Sequence, residues 1–498
     1  MSNNKLKIIH IISEVDPFSK TGGLADVARS LPKALKRLGH EVAVITPLYD
    51  QIVDKNKHGL ELIERDIKIY PDGNETNGNG AAVTVNYWRG FLMPGLAVYF
   101  IECEKYFGRR KTLYGSTHEN ARFLVFEVAA LRFISMRDLN PDIIHCHDWH
   151  SGLIPYYLKN NFPYAAKLQT AKTVYTIHNL AYQMGRNWWD VPAKHKDYGI
   201  NKLPACQSPE IEYINFAKRA IMNADVINAV SERYAEEIIT PKFGQDLNRI
   251  LKNRQDKLFG IINGIDYKDY NPAADQGLHK NYTAHSAKTG KKSNKQFLQK
   301  KFGLPINPDA PVIAMTSRIV FQKGFELILQ IIDEIMQLGF QFIVIGAGDK
   351  NYINEMQKLS RHNNKFVIIP SHEAIQKYET LVYAGADMLL LPSHHEPCGL
   401  NQMIAMRYGC VPVVHRVGGL SDTVSDYNPT DKTGSGFVFN NFNTYELYGA
   451  LIRARELYRN KIQWQKLIKR DMQESNSWEI PAKKYVDLYR TAMNANGK

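Results

Sequence analysis

Cysteine is scarce. The 498 residues hold five, Cys103, Cys146, Cys206, Cys398 and Cys410. They are too scattered for a disulfide framework, and no two form the C-x-x-C pair of a zinc ribbon. Long apolar runs are also missing. The most apolar stretch, Phe91 to Ile101, contains Pro94 and Gly95 and is far short of the ~20 residues that cross a bilayer. The early run Ile8-Ile9-His10-Ile11-Ile12 is too short for a signal h-region, and no small-residue cleavage site follows it. A reduced, cytoplasmic chain without a membrane partner is expected. Acidic residues are outnumbered, 50 against 63 basic, for a net charge of +13, which invites a polyanion. The one dense basic run is HSAKTGKKSNK, His285 to Lys295. With no nucleic-acid motif beside it, it reads as a solvated loop, and no nucleic-acid partner is expected. An apolar content of 44% and a charged content of 23% are ordinary globular values that exclude global disorder.

What is present is alternation. Residues 7–13 form a run rich in β-branched residues, as a buried parallel strand requires. A turn at Ser19 to Leu24 leads to Leu24, Val27, Ala28, Leu31, Leu35 and Leu38 at helical spacing, with Gly39 as the stop. Pro32 is expected to kink this helix. Residues 41–46 are a second strand, completing a β-α-β crossover. Strands follow at 142–147, 173–177 and 225–230, with a helix at 150–160 and a Glu-rich helix from Ser231. Residues 72–82 read as a polar loop tip between hairpin strands. The texture changes at Asn263-Gly264. A second series then places strands at 312–317, 341–346, 365–369, 387–391 and 411–414. Its helices fall at 323–338, 351–361, 374–384 and 399–409. Such alternation predicts an α/β chain of two doubly wound domains, 1–262 and 263–475, facing across a cleft. Residues 476–498 form an amphipathic helix expected to return to the first domain.

In such sheets ligands bind at the carboxyl ends of the strands. After the first strand stands Lys20-Thr21-Gly22-Gly23, a cation and two glycines at a helix start, which suits an anion. It is not a Walker A loop. His147-Asp148-Trp149-His150 and His178-Asn179 follow later strands. The spacing of His145, His147 and His150 does not suit a metal site, and none is expected. Asp148 and His178 suit sugar hydroxyls, whereas His145 and His147 read as hydrogen-bonded core histidines. In the second series Arg318 ends a strand and Lys323 opens a helix, a pair able to clamp a diphosphate. Gly346-Ala347-Gly348 lacks the third glycine of a dinucleotide fingerprint and reads as a turn. Glu396-Pro397-Cys398-Gly399-Leu400 offers a carboxylate suited to neutral hydroxyls, and Gly418-Gly419 is a second double-glycine loop. Cations and N–H groups for phosphates, with carboxylates for hydroxyls, point to a nucleotide diphosphate sugar.

These residues resemble a known family, the bacterial and plant-type glycogen/starch synthases, retaining glycosyltransferases of the GT-B fold. The resemblance runs through KTGGLADV (20–27), HDWH (147–150), TIHNLAYQ (176–183), NGIDY (263–267), SRIVFQKG (317–324), HEPCGLNQM (395–403), YGCVPVVHRVGGLSDTV (408–424) and TGSGFVF (433–439). It implies two Rossmann-like domains, ADP-glucose as donor and an α-1,4-glucan such as glycogen as acceptor, with no cofactor, metal or required protein partner. It further implies that Lys20, Gly22, Gly23 and Asp26 line the donor. Arg318 and Lys323 would hold its phosphates, and Glu396, Asp148, His178 and Asn179 the glucose. Cys398, Gly399 and Leu400 would lie beside the reacting sugar, and Gly418 and Gly419 on the nucleotide side. Two departures bear on donor-base or acceptor preference: His394-His395 stand where the family usually has Arg-Phe, and Asn401 where it has threonine. The alternatives are another GT-B transferase, using UDP-glucose or linked to sucrose, and, remotely, a basic nucleic-acid-binding protein.

Overall fold

A computed structural model describes residues 5–73, 81–115 and 118–495. The loop tip expected at 72–82 falls largely outside them. The chain divides into two compact units. Unit 1 comprises the residues up to Val230, Ala235–Ile261 and those from Trp478 on; unit 2 comprises Ser231–Tyr234 and Ile262–Ser477.

Unit 1 is built on nine strands: β1 (Lys7–Ile11), β2 (Glu41–Pro47), β3 (Glu61–Ile69), β4 (Val83–Met93), β5 (Leu96–Glu102), β6 (Ile143–His147), β7 (Lys172–Ile177), β8 (Val226–Ala229) and β9 (Leu258–Gly260). Their order is β3-β4-β5-β2-β1-β6-β7-β8-β9. The β3-β4-β5 meander is antiparallel, with Pro94 and Gly95 at its β4-β5 turn, and every other pairing is parallel. Chain order reverses at β1, between β2 and β6, which makes the carboxyl ends of β1 and β6 the switch point where ligands bind such sheets. The helix Gly23–Arg37 continues through Pro32 without a break. The final helix, Glu479–Asn494, packs Ala482, Tyr485, Val486, Leu488, Tyr489 and Ala492 into the apolar cluster of Ile8, Leu31, Val42 and Val174. It also covers a polar stripe: Tyr485 accepts from the Asn228 amide at 3.0 Å, and the Tyr489 hydroxyl lies 2.9 Å from His145 Nδ1. Satisfying these buried polar groups fixes the helix in register as well as in place.

Unit 2 has six parallel strands: β10 (Val312–Thr316), β11 (Gln341–Ile345), β12 (Phe366–Ile369), β13 (Met388–Leu391), β14 (Val411–His415) and β15 (Phe437–Phe439). The order is β12-β11-β10-β13-β14-β15, so the switch point lies at β10 and β13. β10, β11, β13 and β14 are buried throughout, as their unbroken apolar runs require. The helix expected over 323–338 is two short ones, Phe325–Gln330 and Ile332–Gln337, separated at Ile331.

The basic run His285 to Lys295 is not a solvated loop. Residues Ala287–Lys301 form a helix, and Lys291 and Lys295 are buried on its inner face. Lys291 Nζ donates to the carbonyls of Tyr383, Ala384 and Ala386 at 2.9–3.1 Å and of Tyr408 at 3.3 Å. It thereby caps the carboxyl ends of helices His372–Gly385 and Asn401–Arg407, where orphan carbonyls gather partial negative charge. Burial lowers its pKa to about 8. Lys295 bonds Asp387 at 2.7 Å and the Tyr458 hydroxyl at 2.8 Å. Part of the positive charge that invited a polyanion is thus spent on internal carbonyls and one internal carboxylate.

Candidate active site

In unit 2 three loops converge at the switch point. The loop after β10 carries Arg318 and Lys323, that after β13 carries Glu396 to Leu400, and that after β14 carries Gly418 and Gly419. The first two are stitched together: His394 N–H donates to Gln322 O at 2.8 Å, and Gln322 Nε2 donates to His395 O at 3.1 Å. Gly324, at φ 75°, passes so close to Pro392 that a Cβ would stand 2.0 Å from its carbonyl oxygen, which only glycine allows. The third loop closes on the second in the same way. A Cβ on Gly418 would meet Glu396 O at 2.0 Å, one on Gly419 would meet Cys398 O at 2.0 Å, and Gly419 N–H donates to Glu396 O at 3.0 Å. This glycine pair is therefore required by the packing of the two loops.

Lys323 donates to Glu396 Oε2, and the Ser393 hydroxyl donates to the same oxygen at 3.0 Å. Arg318 is exposed, its Nη2 3.5 Å from Gln322 Oε1. Glu396 caps no helix, because the following helix begins at Asn401. Asn401 donates from its amide to Thr316 O at 2.7 Å, so it ties that helix to the end of β10. Burial pushes the Cys398 thiol up to about 12, far from thiolate chemistry. His394 packs its ring near Phe321 and Phe442, and burial lowers His395 to about 4. Gly346 and Gly348 are a turn set by close approach, each Cβ position lying about 2 Å from a carbonyl of the 317–319 segment.

Unit 1 brings Lys20, Gly22, Gly23, Asp148, His178 and Asn179 to the carboxyl ends of β1, β6 and β7. Lys20 pairs with Asp26 at 2.5 Å. Gly22, with φ −161° and ψ −163°, is extended, and a Cβ there would meet nothing within 4 Å. Packing thus leaves Gly22 unexplained, unlike Gly418 and Gly419, and room beside its backbone is what a closely approaching ligand needs. The loop is anchored by Glu14, whose Oε2 accepts from both the N–H and the hydroxyl of Thr21 at 2.7 Å. Burial raises Glu14 to about 7. Asp148 adopts φ 54°, a costly conformation for a non-glycine residue that concentrates at functional sites. Its Oδ1 accepts His178 N–H at 2.8 Å, and burial lifts it to about 7. Asp148, accepting from the backbone of both His178 and Asn179, therefore aims the 178–179 segment.

Residue spacing gave no reason to expect a histidine cluster, yet His10, His145 and His147 lie together. Parallel pairing does this: His10 opposes His145, and His147 follows two residues later on the same face. The ring nitrogens of His145 lie 2.9 Å from Tyr489 and 2.7 Å from Thr176, and those of His147 lie 3.0 Å from His10 and from His178. Five of the six ring nitrogens of these three histidines are committed in this way, and the cluster fits a hydrogen-bond network better than a metal centre. His10, Glu14, Ser393 and Gln322 escaped the sequence reading; only the strand register signals His10, and nothing local signals the others.

The model of the starch synthase catalytic domain matches residues 7–253, and that of glycosyl transferases group 1 matches residues 296–469. A glycogen synthase of Geotalea daltonii is 38% identical over 99% of this chain and 100% of its own. One from Streptococcus equi subsp. equi is 37% identical over 98% and 100%. The chain belongs to the glycogen/starch synthase family. It is a glycosyltransferase of that type, acting with a nucleotide-sugar donor and a glucan acceptor. The solved catalytic domain of starch synthase IV from Arabidopsis thaliana, bound to ADP and acarbose, matches with a TM-score of 0.84, 31% identity and coverage of 98% and 100%. Sucrose-phosphate synthase from Thermosynechococcus elongatus, at 17% identity and a TM-score of 0.59, shares the fold. The fold is GT-B, with two Rossmann-like domains. Among the described residues no helix is long and apolar enough to cross a membrane.

Proposed function

We propose that this family member transfers glucose from ADP-glucose to the non-reducing 4-hydroxyl of an α-1,4-glucan such as glycogen, with retention, releasing ADP in the cytoplasm. The observation that carries it is the convergence of Arg318, Lys323 and Glu396 on adjoining loops at the switch point of unit 2. The ADP bound to the Arabidopsis starch synthase supports the choice of base. Arg318 and Lys323 hold the diphosphate and stabilise the charge growing on the leaving oxygen, which is electrostatic catalysis by fixed donors. The same cations perform the neutralisation for which a divalent metal would otherwise serve. Glu396 grips sugar hydroxyls and offsets positive charge at the anomeric carbon. Lys20, Asp26 and the Gly22-Gly23 backbone line the donor from unit 1, and Asp148, His178 and Asn179 position its glucose. Cys398, Gly399 and Leu400 shape the reacting side, and Gly418-Gly419 the nucleotide side. The leaving phosphate takes the proton of the attacking hydroxyl on the same face of the sugar. Purified enzyme with glycogen and either ADP-glucose or UDP-glucose tests the donor. A higher kcat/KM with ADP-glucose is expected; a preference for UDP-glucose would replace this reading with its nearest alternative, and no nucleotide release with either would remove it.

A further inference from the structure

Three histidines of unit 1 form an unbroken line of ring-to-ring contacts. His10 Nδ1 lies 3.0 Å from His147 Nε2, and His147 Nδ1 lies 3.0 Å from His178 Nε2. The line leads from a residue that is 1% exposed in the middle of the sheet to a partly exposed one just past the end of β7. All three rings are neutral: burial lowers His10 and His178 to about 3 and holds His147 well below 6.5.

A neutral imidazole donates from one nitrogen and accepts at the other, so the line has two polarities. With hydrogen on every Nε2, bonds run inward from His178 and end on an N–H at His10 Nε2. That atom is buried and has no partner among the described residues. With hydrogen on every Nδ1, bonds run outward, and His10 Nε2 is only an unused lone pair. Orphaned buried N–H groups are rarer than under-used acceptors, which selects the outward polarity. The hydrogen of His178 then sits on Nδ1, its one ring nitrogen outside the line.

We propose that His10 and His147 are positioning residues for glucosyl transfer: they hold His178 as the Nδ1–H tautomer, so that it donates a hydrogen bond to an oxygen of the sugar. The proposal rests on the assignment of His178 to the sugar made above. It gives the buried histidines a part in the chemistry although neither touches substrate.

The tautomer can be read directly on the resting protein by two-bond proton–nitrogen NMR of [15N]histidine-labelled enzyme near neutral pH, with the His178 signals assigned by their loss in His178→Asn. We expect Nδ1–H in the unsubstituted protein. His10→Phe makes His147 Nε2 the new inner end, again better left as a lone pair than as an orphaned N–H. The tautomer should therefore hold while kcat falls about three- to tenfold, the worth of one hydrogen bond, and donor KM changes little. His10→Met, which offers only an acceptor at that end, should shift His178 toward Nε2–H. His10→Asn, which keeps an amide donor where Nδ1 stood, should keep the tautomer and restore turnover; it also serves if the phenylalanine variant folds poorly. An Nε2–H tautomer in the unsubstituted protein, or an unchanged tautomer in a folded His10→Met, would overturn the relay. Absence of glucosyl transfer with the Nδ1–H tautomer present would instead fault the functional assignment and leave the relay standing.

Discussion

Lys323 and Glu396 are partners of each other, joined by a charge-assisted hydrogen bond whose carboxylate oxygen also accepts from Ser393. Their side chains are only 16% and 11% exposed. The cation assigned to the diphosphate and the carboxylate assigned to the sugar thus compete for one another. On the proposed assignment a donor divides them, its phosphates drawing Lys323 and its hydroxyls drawing Glu396.

Glu396→Gln should therefore separate binding from turnover. Removing the negative charge frees Lys323 for phosphate, so ADP should bind more tightly by calorimetry. Transfer should fall by at least about tenfold, because the carboxylate matters most where positive charge grows in the transition state. Normal turnover with unchanged ADP affinity would show that Glu396 serves only to hold Lys323.

Arg318→Ala and Lys323→Ala should each lower kcat by about ten- to a hundredfold, the equivalent of losing about 1.5–3 kcal/mol of charged hydrogen bonding. Their stabilities should differ. Arg318 is exposed, so its loss should leave Tm unchanged. Loss of Lys323 leaves Glu396 with Ser393 alone, and Tm should drop by a few degrees. Retained turnover in both variants would remove the clamp.

The order of strands and helices was legible because buried parallel strands are apolar runs and helices repeat every 3.6 residues. Glu396, Arg318 and Lys323 were legible because they sit just past such strands. The pairing of Lys323 with Glu396 was not, since it spans 73 residues of chain and depends on β10 lying beside β13. The line from His10 to His178 likewise appears only when strand register is known. Local reading failed outright at Lys291 and Lys295. A run of lysines is ordinarily a wet surface, and nothing nearby in sequence reveals the helix ends that these two satisfy.

Lys291→Met should lower the free energy of unfolding by about 1–3 kcal/mol, because it strands carbonyls that the ammonium now satisfies. Lys288→Met and Lys292→Met, on the exposed face, should be neutral in the same urea titration. Equal effects at all three positions would contradict the capping role.

Acid should destabilise unit 1, with two opposing contributions. His10 has an ordinary pKa of 6.5 and a folded value of about 3. Between those values the unfolded chain takes up a proton that the folded chain refuses, so stability falls as pH falls. Glu14 is raised from 4.5 to about 7. Between those values the folded chain keeps a proton that the unfolded chain releases, so stability falls as pH rises. Across the shared window of pH 4.5 to 6.5, Glu14→Gln should steepen the acid loss of the urea midpoint and His10→Phe should flatten it. Changes of the opposite sign would show that these groups are not buried as described.

The most direct test of the proposed chemistry is the product itself. Enzyme, ADP-glucose and a short α-1,4-glucan, followed by proton NMR with ADP measured in parallel, should yield a new α-anomeric signal of a 1→4 linkage in step with ADP, with or without a chelator present. A β-anomeric product, free glucose in place of chain extension, or a reaction abolished by the chelator and restored by a divalent ion would contradict a same-face transfer organised by Arg318, Lys323 and Glu396.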